Sequence, residues 1–160
     1  MNYIKSYMND QERRKIEVIP GTFDPVFKGT FTSVKGLIEE VVSSIDNFIT
    51  KEDMKDMKIV NSELIKETVL EKGKITDLIV EVKDRVIDIE MNAVFYEKLL
   101  KRNNEYIGKV QSLYEGKYIY QINIDAFSLF DSESSIIKFQ MMSDKGHVDK
   151  TFIVKHHVNI

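Results

Sequence analysis

Cysteine is absent from the 160 residues, which excludes a disulfide framework, a Cys-ligated zinc or iron–sulfur site and a cysteine nucleophile. Histidine is nearly as scarce. His147, His156 and His157 all fall in the last fourteen residues, so a multi-histidine metal site has no partner elsewhere. There are two prolines and seven glycines, with 42% hydrophobic and 31% charged residues; this composition is globular, neither disordered nor fibrous. No stretch approaches eighteen uninterrupted apolar residues, and the charged N-terminus lacks the apolar core of a signal peptide. The sequence therefore reads as a cytoplasmic protein with no membrane partner. Its Lys-, Ile- and Asn-rich character points to a bacterial source, or a phage. A formal charge of −3 speaks against holding nucleic acid by bulk electrostatics, so any such role needs a local basic patch or a cation.

The length suits one domain. Residues 1–22 read as a polar lead-in closed by the Pro20-Gly21 turn, and 23–160 as the folded unit. Apolar residues spaced by three and four from Val34 to Ile49 predict a helix over Ser33–Phe48, followed by the charged, solvated run KEDMKDMK and a first strand over Ile59–Ile65. From Ile75 the period becomes two. Leu78, Val80 and Val82 alternate with Asp77, Ile79 and Glu81; after a tight connection at Lys83-Asp84-Arg85, Ile87, Ile89 and Met91 alternate with Asp88, Glu90 and Asn92. Helical spacing returns from Tyr96 to Tyr114 and stops at Gly116. A strand follows over Tyr118–Ile124, then two strand-like pieces, IIKFQMM and TFIVKHHVNI, joined by the polar turn SDKGHVD. Helices and strands interleave around a hairpin, which predicts an α/β class with a mixed sheet and a C-terminal strand pair.

The set Asp77, Glu90 and Asn92 carries the chemistry. In a hairpin turning near Asp84 the start of one arm lies beside the end of the other, bringing Asp77 to Glu90. Two such carboxylates repel unless a proton or a cation lies between them, and oxygen ligands suit Mg²⁺ or Mn²⁺. The alternative is a set of ordinary solvent-facing acids on an amphipathic hairpin; the apolar residues between them favour a buried hairpin, where acids need a reason. Lys98, Arg102 and Lys109 could form a basic ridge on the following helix, or simply its solvated face. The adjacent His156 and His157 point to opposite faces of a strand and cannot ligate one metal together.

DLIVEVKDRVIDIEMN, with DPVFKGTF upstream and KRNNEYIGKVQSLYEGKYIYQINIDAF downstream, resembles the PD-(D/E)XK nuclease-family transposases, also called recombination-promoting nucleases. The resemblance runs from about Phe23 to the end. It implies a restriction-endonuclease-like αβββαβ core and a Mg²⁺- or Mn²⁺-dependent DNA endonuclease. Asp77 and Glu90 would bind the metal, and Met91 would lend its backbone carbonyl. Asn92 stands where the superfamily usually has lysine and this branch often glutamine, so Lys98, Arg102 and Lys109 become candidates for the missing cation and for DNA contacts, Lys98 and Arg102 first because they are nearest the acidic end of the hairpin. An acid of the first helix, Glu39 or Glu40, would complete the site. Asp24 and Lys28 match a family-typical segment, yet Asp24 before Pro25 is also a normal helix-start residue. Asn92 leaves a second reading open, a catalytically impaired nuclease-fold protein that binds DNA or another protein. A toxin-like or defence role shares the chemistry, a homo-oligomer is compatible with it, and family members often carry a longer C-terminal region.

Overall fold

The structure is a computed structural model that describes residues 24–34, 36–45, 49–60, 78–149 and 153–160. The expected lead-in at 1–22 lies outside the described residues.

Helix α1 (Asp24–Ser33) places Pro25 in its first turn, where the missing N–H costs nothing. The helix expected over Ser33–Phe48 forms as one helix that begins only after Gly36. Gly36 takes a left-handed φ of +84° between the end of α1 and the start of α2 (Leu37–Ile45). The apolar spacing continued through the glycine, so periodicity gave no sign of this later start. Helix α2 buries Ile38 and Val42 and carries Glu39 and Glu40 in its first turn, where acids suit the helix dipole. The run expected to be solvated also forms structure: α3 (Lys51–Met54) is capped by a reciprocal pair of bonds between Thr50 and Asp53, and Met54 is fully buried.

Strand β1 (Lys58–Val60) is the beginning of the first expected strand; its continuation over 61–65 lies outside the described residues. The hairpin forms as predicted from β2 (Leu78–Val82) and β3 (Arg85–Asn92), with Leu78 opposite Ile89 and Val82 opposite Arg85. Its two-residue turn holds Lys83 at a left-handed φ of +53°, unfavourable for a side chain with a Cβ. The Lys83 ammonium is tied 2.6 Å from the Asp53 carboxylate, which fastens the turn to α3. Helix α4 (Leu99–Leu113) begins three residues later than the spacing suggested, and Gly116, at φ +78°, turns the chain out of it. Strands β4 (Tyr118–Asp125), β5 (Ile136–Phe139) and β6 (Val154–Asn159) complete a mixed sheet of order β1-β2-β3-β4-β6-β5. Strand β4 lies parallel to β3 and to β6, while the remaining pairs are antiparallel. The fold is therefore α/β with a mixed sheet and a C-terminal strand pair.

One face of the sheet is apolar over β2, β3 and β4, and the buried His156 of β6 stands on it beside Ile122. Leu78, Val80, Val82, Ile87, Ile89, Tyr120, Ile122 and Ile124 pack there against Phe27, Ile38, Val42, Ile49 and Met54. The opposite face, under α4, is apolar only at one end, where Ile79, Val86 and Ile119 meet Ile107 and Val110. Towards the C-terminal ends of the parallel strands it becomes polar.

Among the described residues no helix is long and apolar enough to cross a membrane.

Candidate functional site

The polar end of the α4 face is built by register. Because β3, β4 and β6 run parallel, partners across them share a face. Asp88 stands beside Gln121 and Lys155; Glu90 beside Asn123 and His157; Asn92 beside Asp125 and Asn159. Three polar rungs thus cross three strands. Asp88, Glu90, Asn92, Asn103, Gln121, Asn123, Asp125 and His157 are each no more than 3% exposed. Polar groups so buried need partners, and helix α4 brings several of them.

The bonds link into one network. Asn92 donates to Asp125 Oδ1 at 2.7 Å, and the other Asp125 oxygen lies 2.7 Å from His157 Nδ1. A carboxylate accepts there, which makes the imidazole Nδ1–H the donor. On the other side Arg102 Nη2 donates to Asn92 Oδ1 at 2.7 Å. The guanidinium also reaches Asn103 Oδ1 at 3.3 Å; Asn103 donates to Asn123 at 2.7 Å, and Asn123 to the His156 carbonyl at 3.2 Å. Gln121 donates to Asp88 at 2.9 Å and to the Asn103 carbonyl at 3.1 Å. The guanidinium carbon of Arg102 lies 5.5 Å from the Tyr96 ring centroid and 5.4 Å from that of Tyr106, cation–π contacts that restrain the charge over the network. The hydrogen bonds of Arg102 to described residues run from Nε and Nη2.

A second cation lies at the network's edge. Lys155 hydrogen-bonds Asn104 on α4. Burial lowers its pKa below the usual lysine value, partly opposed by the negative charge of Asp88, which places the amine within the field of that carboxylate.

Asp77 lies outside the described residues. Glu90 shares a face of β3 with Asn92, and Arg102 meets Asn92. Met91 points to the other face and packs against the apolar layer. Lys98 is exposed at the residue preceding α4 and makes no side-chain cap bond, so it is not joined to the network. Lys109 lies half-buried two turns beyond Arg102. Helix α2 packs on the opposite, apolar layer; there Glu40 pairs with Lys51 at 2.5 Å, while one Glu39 carboxylate oxygen is buried with no hydrogen-bond partner among the described residues. Lys28 is half-buried in α1. His156 and His157 do occupy successive positions of β6, opposite Ile122 and Asn123 respectively, and both are buried.

Sequence reasoning missed Asn103, Gln121, Asn123, Asp125, Lys155 and the bonded role of His157. A signal was present. DIEMN, QINID and KHHVN each place three polar or titratable residues at a spacing of two, the strand period that puts them on one face.

The donors on this face are carboxylate, amide and imidazole, without sulfur, a chemistry that fits a hard divalent cation. Among the described residues no three histidine, aspartate or glutamate side chains converge to hold one. Asp125 is already committed to Asn92 and His157. Among these carboxylates, a cation site would therefore draw on those of the other two rungs, Asp88 and Glu90.

No protein-family model matches the chain, and no curated protein matches it as a relative.

Proposed function

We propose that the protein is a metal-dependent DNA endonuclease with a restriction-endonuclease-like core, of the kind its sequence resembles in the transposase and recombination-promoting nuclease group. The observation that carries this reading is the position of Arg102. Its guanidinium stands on Asn92, at the place in the motif where a lysine would ordinarily supply positive charge. The order of helix, antiparallel hairpin, helix and parallel strand supports the same reading, as does the gathering of polar side chains towards the carboxyl ends of parallel strands, where open α/β sheets commonly bind ligands.

Asp77 and Glu90 are the residues that would hold Mg²⁺ or Mn²⁺; the β2–β3 register ends at Leu78 opposite Ile89, one position in sequence from each. A cation bound there would supply Lewis-acid stabilisation of the phosphodiester and a more acidic water. The chain's own residues do the rest. Arg102 offers a permanent, oriented charge to a phosphate oxygen. Asn92, locked between Arg102 and Asp125, fixes that charge in place. Lys98 and Lys109 extend the basic contact along α4.

The test is metal-dependent nicking of supercoiled plasmid by wild type, Asp77→Ala, Glu90→Ala and Arg102→Ala. Nicking with Mg²⁺ or Mn²⁺ that is lost in the acid variants while their circular dichroism is unchanged supports the reading. Equal nicking by Asp77→Ala overturns it. The second reading, a nuclease-fold module that binds DNA or a protein without cutting, is favoured by Asn92 having its amide committed at both ends. Titration calorimetry with Mn²⁺ separates the two, since a binding-only protein takes up no cation at Asp77 and Glu90.

A further inference from the structure

Beside the polar rungs, between α4 and the β5–β6 pair, lies a cavity of about 490 Å³ that the chemistry above does not use. Its size is ordinary for a small-molecule site. Its walls are mainly apolar, with Phe130, Phe139 and Ile107 prominent, and the charged side chain lining it is Lys155. His157 forms part of the wall and meets both phenylalanine rings edge-on, at 5.2 and 5.8 Å. The two phenylalanines are themselves 5.1 Å apart and tilted by 45°. Phe139 remains 42% exposed, an aromatic ring left partly uncovered. Asn104 and Gln140 bring amide donors and acceptors to the same wall.

Gly108 also lines the cavity, in the middle of α4. A glycine there costs about 1 kcal/mol relative to alanine. A Cβ added to it would meet nothing within 4 Å, so close packing does not require the glycine. The space above it is open, so a large side chain at this position would enter the cavity.

We infer that this cavity receives an unstacked nucleobase from a single-stranded stretch of the nucleic acid acted on at the neighbouring rungs. The ring faces give a stacking surface, the amides reach hydrogen-bonding edges, and the ammonium of Lys155 faces the adjoining phosphate. Lys155 and His157 belong to the cavity and to the first and second rungs alike, so an occupied cavity adjoins Asp88 and Glu90. The inference rests on the nucleic-acid reading of that site and adds the substrate class, a strand with at least one base free of its stack.

The test uses a fluorescein-labelled single-stranded dodecamer of thymidines with one central 2-aminopurine, read by anisotropy and by 2-aminopurine emission. Wild type is expected to bind and to change the emission. Gly108→Leu, which fills the cavity and removes a helix-weakening glycine, is expected to melt no lower than wild type and to weaken binding about five- to 150-fold; Phe139→Ala weakens it within the same range. Wild-type affinity with an unaltered emission change in a folded Gly108→Leu overturns the inference, as does wild type that takes up an apolar dye in the cavity but binds no dodecamer. Plasmid nicking by the same proteins separates the two ideas. Wild type that never nicks yet binds the dodecamer through Gly108 and Phe139 removes the nuclease reading and leaves the cavity assignment standing. Wild type that nicks, with Gly108→Leu binding normally, does the reverse.

Discussion

Arg102 of helix α4 reaches Asn92 at the end of strand β3, its Nη2 2.7 Å from the asparagine oxygen. The contact joins two residues ten positions apart and sets a permanent charge on the final rung of the buried polar face. Removing it leaves the Asn92 oxygen, in a residue only 2% exposed, without its donor. Arg102→Ala should lower stability by about 1–3 kcal/mol in urea denaturation. Arg102→Lys should recover only part of this, since an ammonium cannot reproduce the guanidinium fork that meets both Asn92 and Asn103.

Asp125 satisfies two donors at once, Asn92 Nδ2 and His157 Nδ1. Asp125→Ala should cost about 2–6 kcal/mol, because it strips a partner from each of two buried groups at about 1–3 kcal/mol apiece. A double-mutant cycle between Asn92 and His157 offers a sharper measurement. The two do not share a direct bond in the network, so a coupling above about 0.5 kcal/mol would have to pass through Asp125.

Lys155 should titrate below the ordinary lysine value of 10.5, since burial disfavours its charge. In the unfolded chain the amine binds its proton more tightly than in the folded one. Stability should therefore rise with pH across the interval from the folded value up to 10.5, where the cost of burying the ammonium disappears. NMR of ¹³C-methylated lysines should show one resonance with a lowered midpoint, absent in Lys155→Arg. Asp88→Asn should lower that midpoint further, because the Asp88 charge favours the ammonium.

The turn between β2 and β3 makes an acid-range prediction. The Lys83 ammonium beside Asp53, with bonds from Thr50, holds the Asp53 carboxyl well below its ordinary value near 3.8. Asp53 therefore contributes stability that is complete above pH 3.8 and lost as the pH falls through the folded value. Lys83, raised above 10.5 by the same contact, contributes below 10.5 and loses its share as the pH rises beyond the folded value. The melting temperatures of wild type and Asp53→Asn should differ at pH 6 and converge as the acid limit is approached. Lys83→Gly should relieve the left-handed backbone yet narrow the same difference, since it removes the partner.

Much of the architecture is legible along the chain. Alternation over residues 78–92 defines the hairpin because a strand has a period of two and one face is buried. The three- and four-residue spacing after Leu99 defines α4 for the equivalent reason. The start of α2 after Gly36 is not legible, because an apolar stripe can continue in sequence while the backbone passes through a left-handed residue. Nor is α3: Thr50 and Asp53 carry a capping signal, but Met54 is buried by what folds over it. Of Lys98, Arg102 and Lys109, Arg102 is the one whose bonds tie it into the network. A shared helix face says which residues are neighbours, not how far along the sheet the helix is laid.

Period alone assigns Asp88, Glu90 and Asn92 to one side of their strand, Gln121, Asn123 and Asp125 to one side of theirs, and Lys155, His157 and Asn159 to one side of a third. It does not say that the three sides are the same side, or that the residues stand level. That depends on β4 lying parallel to β3 and β6 with each polar residue opposite another, a register in which a slip of one position would turn every polar group to the apolar layer. Long connections separate these strands, so no local pattern fixes the offset between them. The burial of both faces fixes it, because only one alignment keeps the isoleucines in the core and gives the acids and amides partners across the sheet and from α4.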